Sequence, residues 1–532
     1  MMLRSQNGPV DTPTSSNGAG FRAVEAVQYT CRAGQIAEET LPALPDVSEV
    51  RGTVVASGDV LRWYIHPVLD VEQTWGAMAV ALDLVFEDGS RLSELGPTDQ
   101  YGVAATARGQ LEGKALFPDQ WNDVQVDLSA AVGRTITDVL VVAEPPEAPG
   151  DLTGWIDGPY VGPLPADPPV DDPVAWVDTR RGTHSSGDFS RGNNIPATAW
   201  PNGFCFITPA TNARTRRWLY EYHRTNGDQN RPRLQGIGIS HQPSPWMGDR
   251  NQLMLMPLTG AQPSADPQER SRAFDHDQET ARPDQYRCVF LDDTAVEVAP
   301  TDHGLVLQVD FAADSGGEHL LIEGVDENSR IDAAGAVLDG ELRGWVDSSM
   351  DSDARLEGSS RMFVLGRVEP APVAVGSARG ATPGGAVLTF PEGTRRATVH
   401  LVTSFLGIDQ ARRTFHQELQ DRTLEQVRNA AHRAWSERLG VITVPDATPP
   451  QRRTLYGNLY RLNLYPNSHH ENTGTAEQPR YMHASPVLPR RGEVTATRTD
   501  AQIVPGELFV NNGFWDTYRT AWPAYALLYP QL

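Results

Sequence analysis

The sequence predicts a multidomain chain in which two β-rich domains lead into helices, and three observations carry that reading. Short apolar runs separated by Gly, Pro and Asp turns fill the chain as far as Leu406. A proline- and acid-rich stretch, Leu164 to Val174, interrupts them. From Ile408 the apolar residues recur at helical spacing instead.

Taken in order, residues 1–20 are polar and rich in Ser, Gly and Asn, which predicts a disordered lead. Residues 22–162 hold the runs Leu61–Ile65, Ala77–Phe86 and Thr137–Val142, with Asp88-Gly89-Ser90 as a turn signal. No long helical pattern intervenes, so this region reads as a β-sandwich. Residues 163–174 read as the linker. Residues 175–406 are again short strands and turns, long enough for two large sheets. Residues 407–448 read as a helical linker. Its span Ile408–Leu439 spaces Leu419, Leu424, Val427, Ala430, Ala434 and Trp435 helically before Gly440, and a short strand, Val441–Val444, follows. Residues 449–532 open with a helix from Pro449 to Tyr465, pass through a polar loop at 467–505 and end in a helix starting near Trp515.

Composition excludes several classes. At 532 residues the chain exceeds one core, and 39% hydrophobic content with 47 Gly and 41 Pro suits loop-rich β domains. A net charge of −23 without basic stripes excludes a nucleic-acid partner. No segment approaches membrane-spanning length, so no membrane partner is expected. Lys114 is the single lysine, which argues against a Schiff base. Cys31, Cys205 and Cys288 read as buried free thiols, a Cys205–Cys288 disulfide being the lesser alternative. No Walker A, dinucleotide fingerprint, His-Glu-x-x-His or Gly-x-Ser-x-Gly elbow is present.

Four clusters after the linker could carry chemistry. The run Arg181-Gly182-Thr183-His184 through Asn193-Asn194 to Trp200-Pro201-Asn202-Gly203 has the Gly and Asn density of a backbone that approaches a ligand closely, or of an elaborate loop. His241, Trp246 and Asp249 sit on a Pro-stiffened loop, where Trp246 either stacks on a sugar ring or fills a core gap. Around Phe274 to Pro283, His276 and its carboxylates lack the spacing of a metal site and read as a strand with a hydrogen-bonded His. Finally, Trp515-Asp516-Thr517-Tyr518-Arg519 packs a stacking face, a carboxylate and a guanidinium together. That is one way to bind vicinal hydroxyls, and the alternative is a helix start with Asp516 on the dipole.

In this order the clusters resemble glycoside hydrolase family 92, the calcium-dependent inverting exo-α-mannosidases. The matching pieces are Gly182-Thr183 with Ile195-Pro196 and Pro201-Asn202-Gly203-Phe204, Ile239-Ser240-His241 leading to Leu255-Met256-Pro257, and Phe274-x-His276-x-x-Glu279-x-Ala281-x-Pro283. Ser404-Phe405-Leu406, Leu459-Tyr460 to Pro466, and Phe514 to Arg519 before Pro523 complete the set. The resemblance implies a β-sandwich at 175–406 and the first helices of an (α/α)6 barrel at 449–532. Residues 22–162 look like an appended galactose-binding-like, carbohydrate-binding sandwich.

It also implies removal of terminal α-linked mannose from N-glycans or mannans, with calcium as cofactor. Trp515, Asp516 and Arg519 would line the glycone pocket, flanked by His241, Trp246, Asp249, Asn193 and Asn194. The general acid, the base and most calcium ligands are expected beyond Leu532, so this chain alone is expected to be inactive. Two stretches depart from the family's pattern, Gly187 to Pro196 and Gln242 to Arg250. They leave the linkage open, with mannose-α-1-phospho-6-mannose uncapping as an alternative within the family. A non-catalytic carbohydrate-binding protein is the alternative of another class. A secreted or cell-surface bacterial location is expected, although the first residues hold no signal-peptide pattern.

Overall fold

The computed structural model describes the chain except residues 45–49, 71, 73, 148–149, 188, 190–191, 242, 246–251, 326–328, 334–339, 348–360, 514 and 516. It divides into two compact units. Unit 1 is 1–167 with 184–190 and 222–231, and unit 2 is the remainder.

Unit 1 is a β-sandwich. One antiparallel sheet orders Met2–Asn7, Glu25–Arg32, Asp151–Pro163, Asp59–Pro67 and Asn122–Asp127, and the other orders Ala37–Thr40, Ile136–Ala143 and Val80–Phe86. Alternate residues of both sheets, among them Tyr29, Trp63, Leu82 and Val141, fill one core. The helix here, α1 (Ala107–Gly113), is short, and the Thr106 hydroxyl caps it by accepting from the Gly109 N–H. The expected disordered lead is corrected. Met2–Asn7 is an edge strand paired with Glu25–Arg32, and its polar side chains stay largely exposed while the backbone supplies the ladder. The excursions 184–190 and 222–231 also depart from an uninterrupted domain over 175–406. His223 accepts from the Ser16 N–H (2.9 Å) and donates to the Phe21 carbonyl (2.9 Å), while Asn230 donates to the carbonyls of Gly20 and Ala23.

Unit 2 is built on two larger antiparallel sheets sharing one core. The first orders Ala374–Gly376, Ala386–Thr389, Glu318–Gly324, Leu253–Thr259, Gly236–Ser240, Phe206–Ala210 and Thr198–Ala199. The second orders Arg233–Leu234, Arg272–Ala281, Tyr286–Phe290, Ala295–Pro300, Gly304–Asp310, Arg396–Ser404, Arg361–Glu369, Glu341–Asp347 and Ser329–Asp332. Ile237, Leu255 and Leu321 of one meet Val298, Leu307 and Val399 of the other. A short helix, α2 (Pro267–Arg270), connects them. All three cysteines are buried and free, as expected.

The helical region differs in detail from the expectation. The single periodic span over 408–439 is two helices, α3 (Ile408–Glu418) and α4 (Leu424–Leu439). They are separate because Thr423 forms a capping box with Gln426, starting a new helix where the period alone continues. Rather than acting as a spacer, α3 packs Ile408, Ala411 and Phe415 onto Val306, Phe363 and Val402 of the second sheet. Residues 441–444 form no strand. Next, α5 (Pro449–Leu462) starts with a Thr448–Gln451 capping box, and its Tyr456, Leu459 and Tyr460 join Trp176, Ala199, Phe206 and Trp435 in a separate core. The stretch read as a polar loop contains short strands, including Asn467–Ser468 paired with Phe509–Val510. The last helix, α6 (Ala521–Leu528), begins later than expected, after a 3-10 turn at Thr517–Arg519.

Candidate functional site

His241 follows the strand Gly236–Ser240 and is 6% exposed. Its Nδ1 lies 2.8 Å from the Phe204 carbonyl, which only accepts, so Nδ1 carries the hydrogen. Its Nε2 is left as an acceptor and lies 2.9 Å from Nδ1 of His469. The ring is enclosed by Phe204 and Phe405, with centroids at 4.6 and 4.8 Å. Both ring nitrogens are therefore engaged inside the protein, and His241 anchors the loop through its ring. Burial pushes His469 down to about 4, so it stays neutral. Nothing local to the run Ser468-His469-His470-Glu471, which lies in a polar stretch without apolar periodicity, points to this partner.

The main chain of His241 gathers the later segments. Its carbonyl accepts from Asn467 Nδ2 (3.2 Å) and Asn511 Nδ2 (3.3 Å), and Asn511 also donates to Asn467 Oδ1 (2.7 Å). Tyr465 donates its hydroxyl to the Pro243 carbonyl. His241, Pro243, the strand at 467–468 and the approach to Trp515 thus meet. Trp515 itself is 88% exposed, and Arg519 is exposed, with its guanidinium over the Tyr518 ring. The α6 helix behind them is fixed by Tyr525, which donates to the Leu462 and Tyr465 carbonyls, and by Tyr529, which donates to the Arg438 carbonyl (2.9 Å). Trp246, Asp249 and Asp516 lie outside the described residues.

Asn193 and Asn194 sit where two stems of chain cross. Asn193 is left-handed at φ 49°, and Gly182 stands opposite at φ 87°. The Asn194 N–H donates to the Gly182 carbonyl (3.1 Å) and its Nδ2 to the Arg181 carbonyl (3.2 Å). A Cβ on Gly182 would fall 2.2 Å from Asn194 Nδ2, so only glycine fits this crossing.

Below it, Glu279 is wholly buried and accepts from Tyr220, Tyr286, His276 and Arg180. Burial raises its pKa, but His276 and Arg180 outweigh that and hold it below its ordinary value. His276 is the hydrogen-bonded strand histidine the sequence suggested, at 2.8 Å from Glu279.

The comparisons bear on the whole of this region. Residues 176–407 match the glycosyl hydrolase family 92 N-terminal domain, and residues 410–532 match the glycosyl hydrolase family 92 catalytic domain. The chain belongs to glycosyl hydrolase family 92.

Among solved structures, a family 92 inverting mannosidase of Bacteroides thetaiotaomicron is similar at 26% identity and a TM-score of 0.59, over 68% of this chain and 47% of that one. A family 92 α-mannosidase of the same bacterium shares the fold at 19% identity and a TM-score of 0.51, over 66% of this chain and 47% of that one. The same α-mannosidase in complex with mannoimidazole gives 19% and 0.50, over 66% of this chain and 46% of that one. The chain thus spans about half the length of these relatives. No curated protein matches it.

Family 92 membership makes calcium the cofactor to test for. Among the described residues, one group of His, Cys, Asp or Glu is close enough to share an ion: Asp302, His303 and Glu418. Its chemistry is wrong for calcium, which takes six to eight oxygen ligands. His303 points Nδ1 at Glu418 (2.7 Å) and Nε2 at the His470 carbonyl (3.2 Å), both acceptors, so it is an imidazolium. Burial alone would depress it, but Asp302 and Glu418 overcome that and raise it to about 10. Asp302 accepts from the Phe204 N–H (2.8 Å). The cluster is an ion-paired histidine that ties α3 to the sheet, and the residues do not fit a calcium ion.

Proposed function

We propose that residues 176–532 form the glycone-binding part of an inverting exo-α-mannosidase, which removes terminal α-linked mannose from N-glycans or mannans with calcium as cofactor. The observation that carries this reading is the junction at His241, where Asn467 and Asn511 bring the approach to Trp515 against the His241 carbonyl. These are the segments that the resemblance assigns to the mannose pocket, and the 26% likeness to an inverting mannosidase agrees with it. Trp515 offers a stacking face to the sugar ring, and Asp516 and Arg519 offer an acceptor and a donor to its hydroxyls. In an inverting reaction one carboxylic acid protonates the leaving oxygen while a second carboxylate activates water on the opposite face. We assign both, with the calcium ligands, to the half of the relatives' length that this chain does not span. A polymeric glycan substrate suits a location outside the cytoplasm.

The test is mannose release from α-mannosyl fluoride, whose leaving group needs no acid assistance. The 532-residue chain is compared with one extended to the length of the solved relatives, with calcium and with chelator. Release by the extended chain alone, abolished by chelator, is the expected result. Release by the shorter chain would overturn the division of labour, and release by neither would overturn the mannosidase reading.

A further inference from the structure

Among the described residues of unit 2, the Arg461 guanidinium lies over the Tyr460 ring and gives its hydrogen bonds to main-chain oxygens. Arg461, near the end of α5, donates Nη1 to the Ile195 carbonyl (2.9 Å) and Nη2 to the carbonyls of Thr179 (2.6 Å) and Arg181 (2.9 Å). Burial disfavours its charge and lowers its pKa, and Tyr460, Tyr465 and Asp178 oppose that shift without overcoming it. A guanidinium drawn partly out of water is costly unless its hydrogens are satisfied, so three carbonyl acceptors at one fork mark a specific arrangement.

The acceptors lie on the two stems that cross beneath Asn193 and Asn194. Thr179 and Arg181 are on the stem that ends in Gly182, and Ile195 follows Asn194 on the other. The first stem has a second fixing point, because Arg180 donates to Glu279 (3.1 Å) and to the His276 carbonyl (3.2 Å). The second stem is tied to the first by Asn194, and Arg461 adds a bond from α5 to each of them. Arg461 also belongs to the stretch that matches the family's catalytic domain, while both stems belong to the stretch that matches the N-terminal domain. Arg461 therefore joins the helical segment to both stems of the strand-borne loop at once, beside the single contacts that Thr454 makes to Arg181 and Tyr460 to Ala197.

We propose that Arg461 is a positioning residue for glycan binding: by holding the Thr179, Arg181 and Ile195 carbonyls, it fixes the backbone path that presents Asn193 and Asn194. The proposal rests on reading that loop as part of the mannoside pocket. Lysine cannot replace it, since one ammonium on a flexible stem does not reproduce a planar fork to three carbonyls on two stems.

The experiment measures mannoimidazole binding by calorimetry and amide hydrogen exchange of residues 179–183 and 193–195. Wild type is compared with Arg461→Ala and Arg461→Lys, each with and without methylguanidinium. Both variants should bind about tenfold more weakly or worse, the loss expected from charged hydrogen bonds. Exchange should rise in the two stems and not in the sheets. Methylguanidinium should restore affinity to Arg461→Ala but not to Arg461→Lys, which keeps the charge and serves as the second variant should the alanine form not fold. Unchanged exchange in the stems, or wild-type affinity in either variant, overturns the proposal. Should the wild-type chain extended to the length of the solved relatives fail to bind mannoimidazole, the mannosidase reading falls, while the exchange data still decide whether Arg461 holds the stems.

Discussion

His303 and His469 sit in one buried neighbourhood and are pushed in opposite directions, His303 up to about 10 by its carboxylates and His469 down to about 4 by burial. Each has an ordinary value of 6.5 when unfolded. The folded state holds a proton on His303 that the unfolded chain releases above that value, so this stability is complete below 6.5 and lost as pH rises toward 10. His469 stays neutral in the fold while the unfolded chain takes up a proton, so its contribution is present above 6.5 and lost as pH falls toward 4. Buried His66 in unit 1, also pushed down to about 4, acts in the same sense as His469. Urea unfolding should therefore show maximal stability at about pH 6.5. His303→Gln should flatten the alkaline decline, and an unchanged decline would show that His303 is not its source. Neither histidine was legible as a site residue. His469 meets His241 across 228 positions of sequence, and no local spacing reports such a contact.

Helices show the same division between what local pattern specifies and what packing adds. The change from strand alternation to helical spacing at Ile408 was readable because period reports which face is buried. The break between α3 and α4 leaves no mark on that period, although its cause is local: the Thr423 hydroxyl accepts from the Gln426 N–H while Gln426 reaches back to the Thr423 N–H. Thr423→Ala should cost about 1 kcal/mol, the usual value of such a cap, measured by chemical denaturation. A loss near zero would mean that α4 is held by its contacts alone. The edge strand Met2–Asn7 carries no apolar alternation for a different reason, since its pairing uses backbone groups and five of its six side chains are exposed. The turn Thr517–Arg519 was read as the head of a helix because its aromatic and apolar neighbours continue into α6. In the structure the helix starts at Ala521 and is tethered by Tyr525 and Tyr529.

Across the whole molecule, the order of β-rich and helical regions followed from composition and period, and the family from motifs scattered between Gly182 and Arg519. Motifs could name the segments but not say which residues face a ligand. His241 proves to be an anchor with both ring nitrogens used, whereas Trp515 stands almost fully exposed beside the junction that Asn511 makes. A tryptophan that exposed contributes little to stability, so replacing it separates binding from folding. The decisive measurement is calorimetric titration of mannoimidazole, with calcium, into the wild-type chain extended to the length of the solved relatives and into its Trp515→Ala variant. Binding by wild type that weakens about tenfold in the variant, at an unchanged melting temperature, is the predicted result. Equal binding by the two proteins, or none by wild type, would contradict a mannose pocket at this junction.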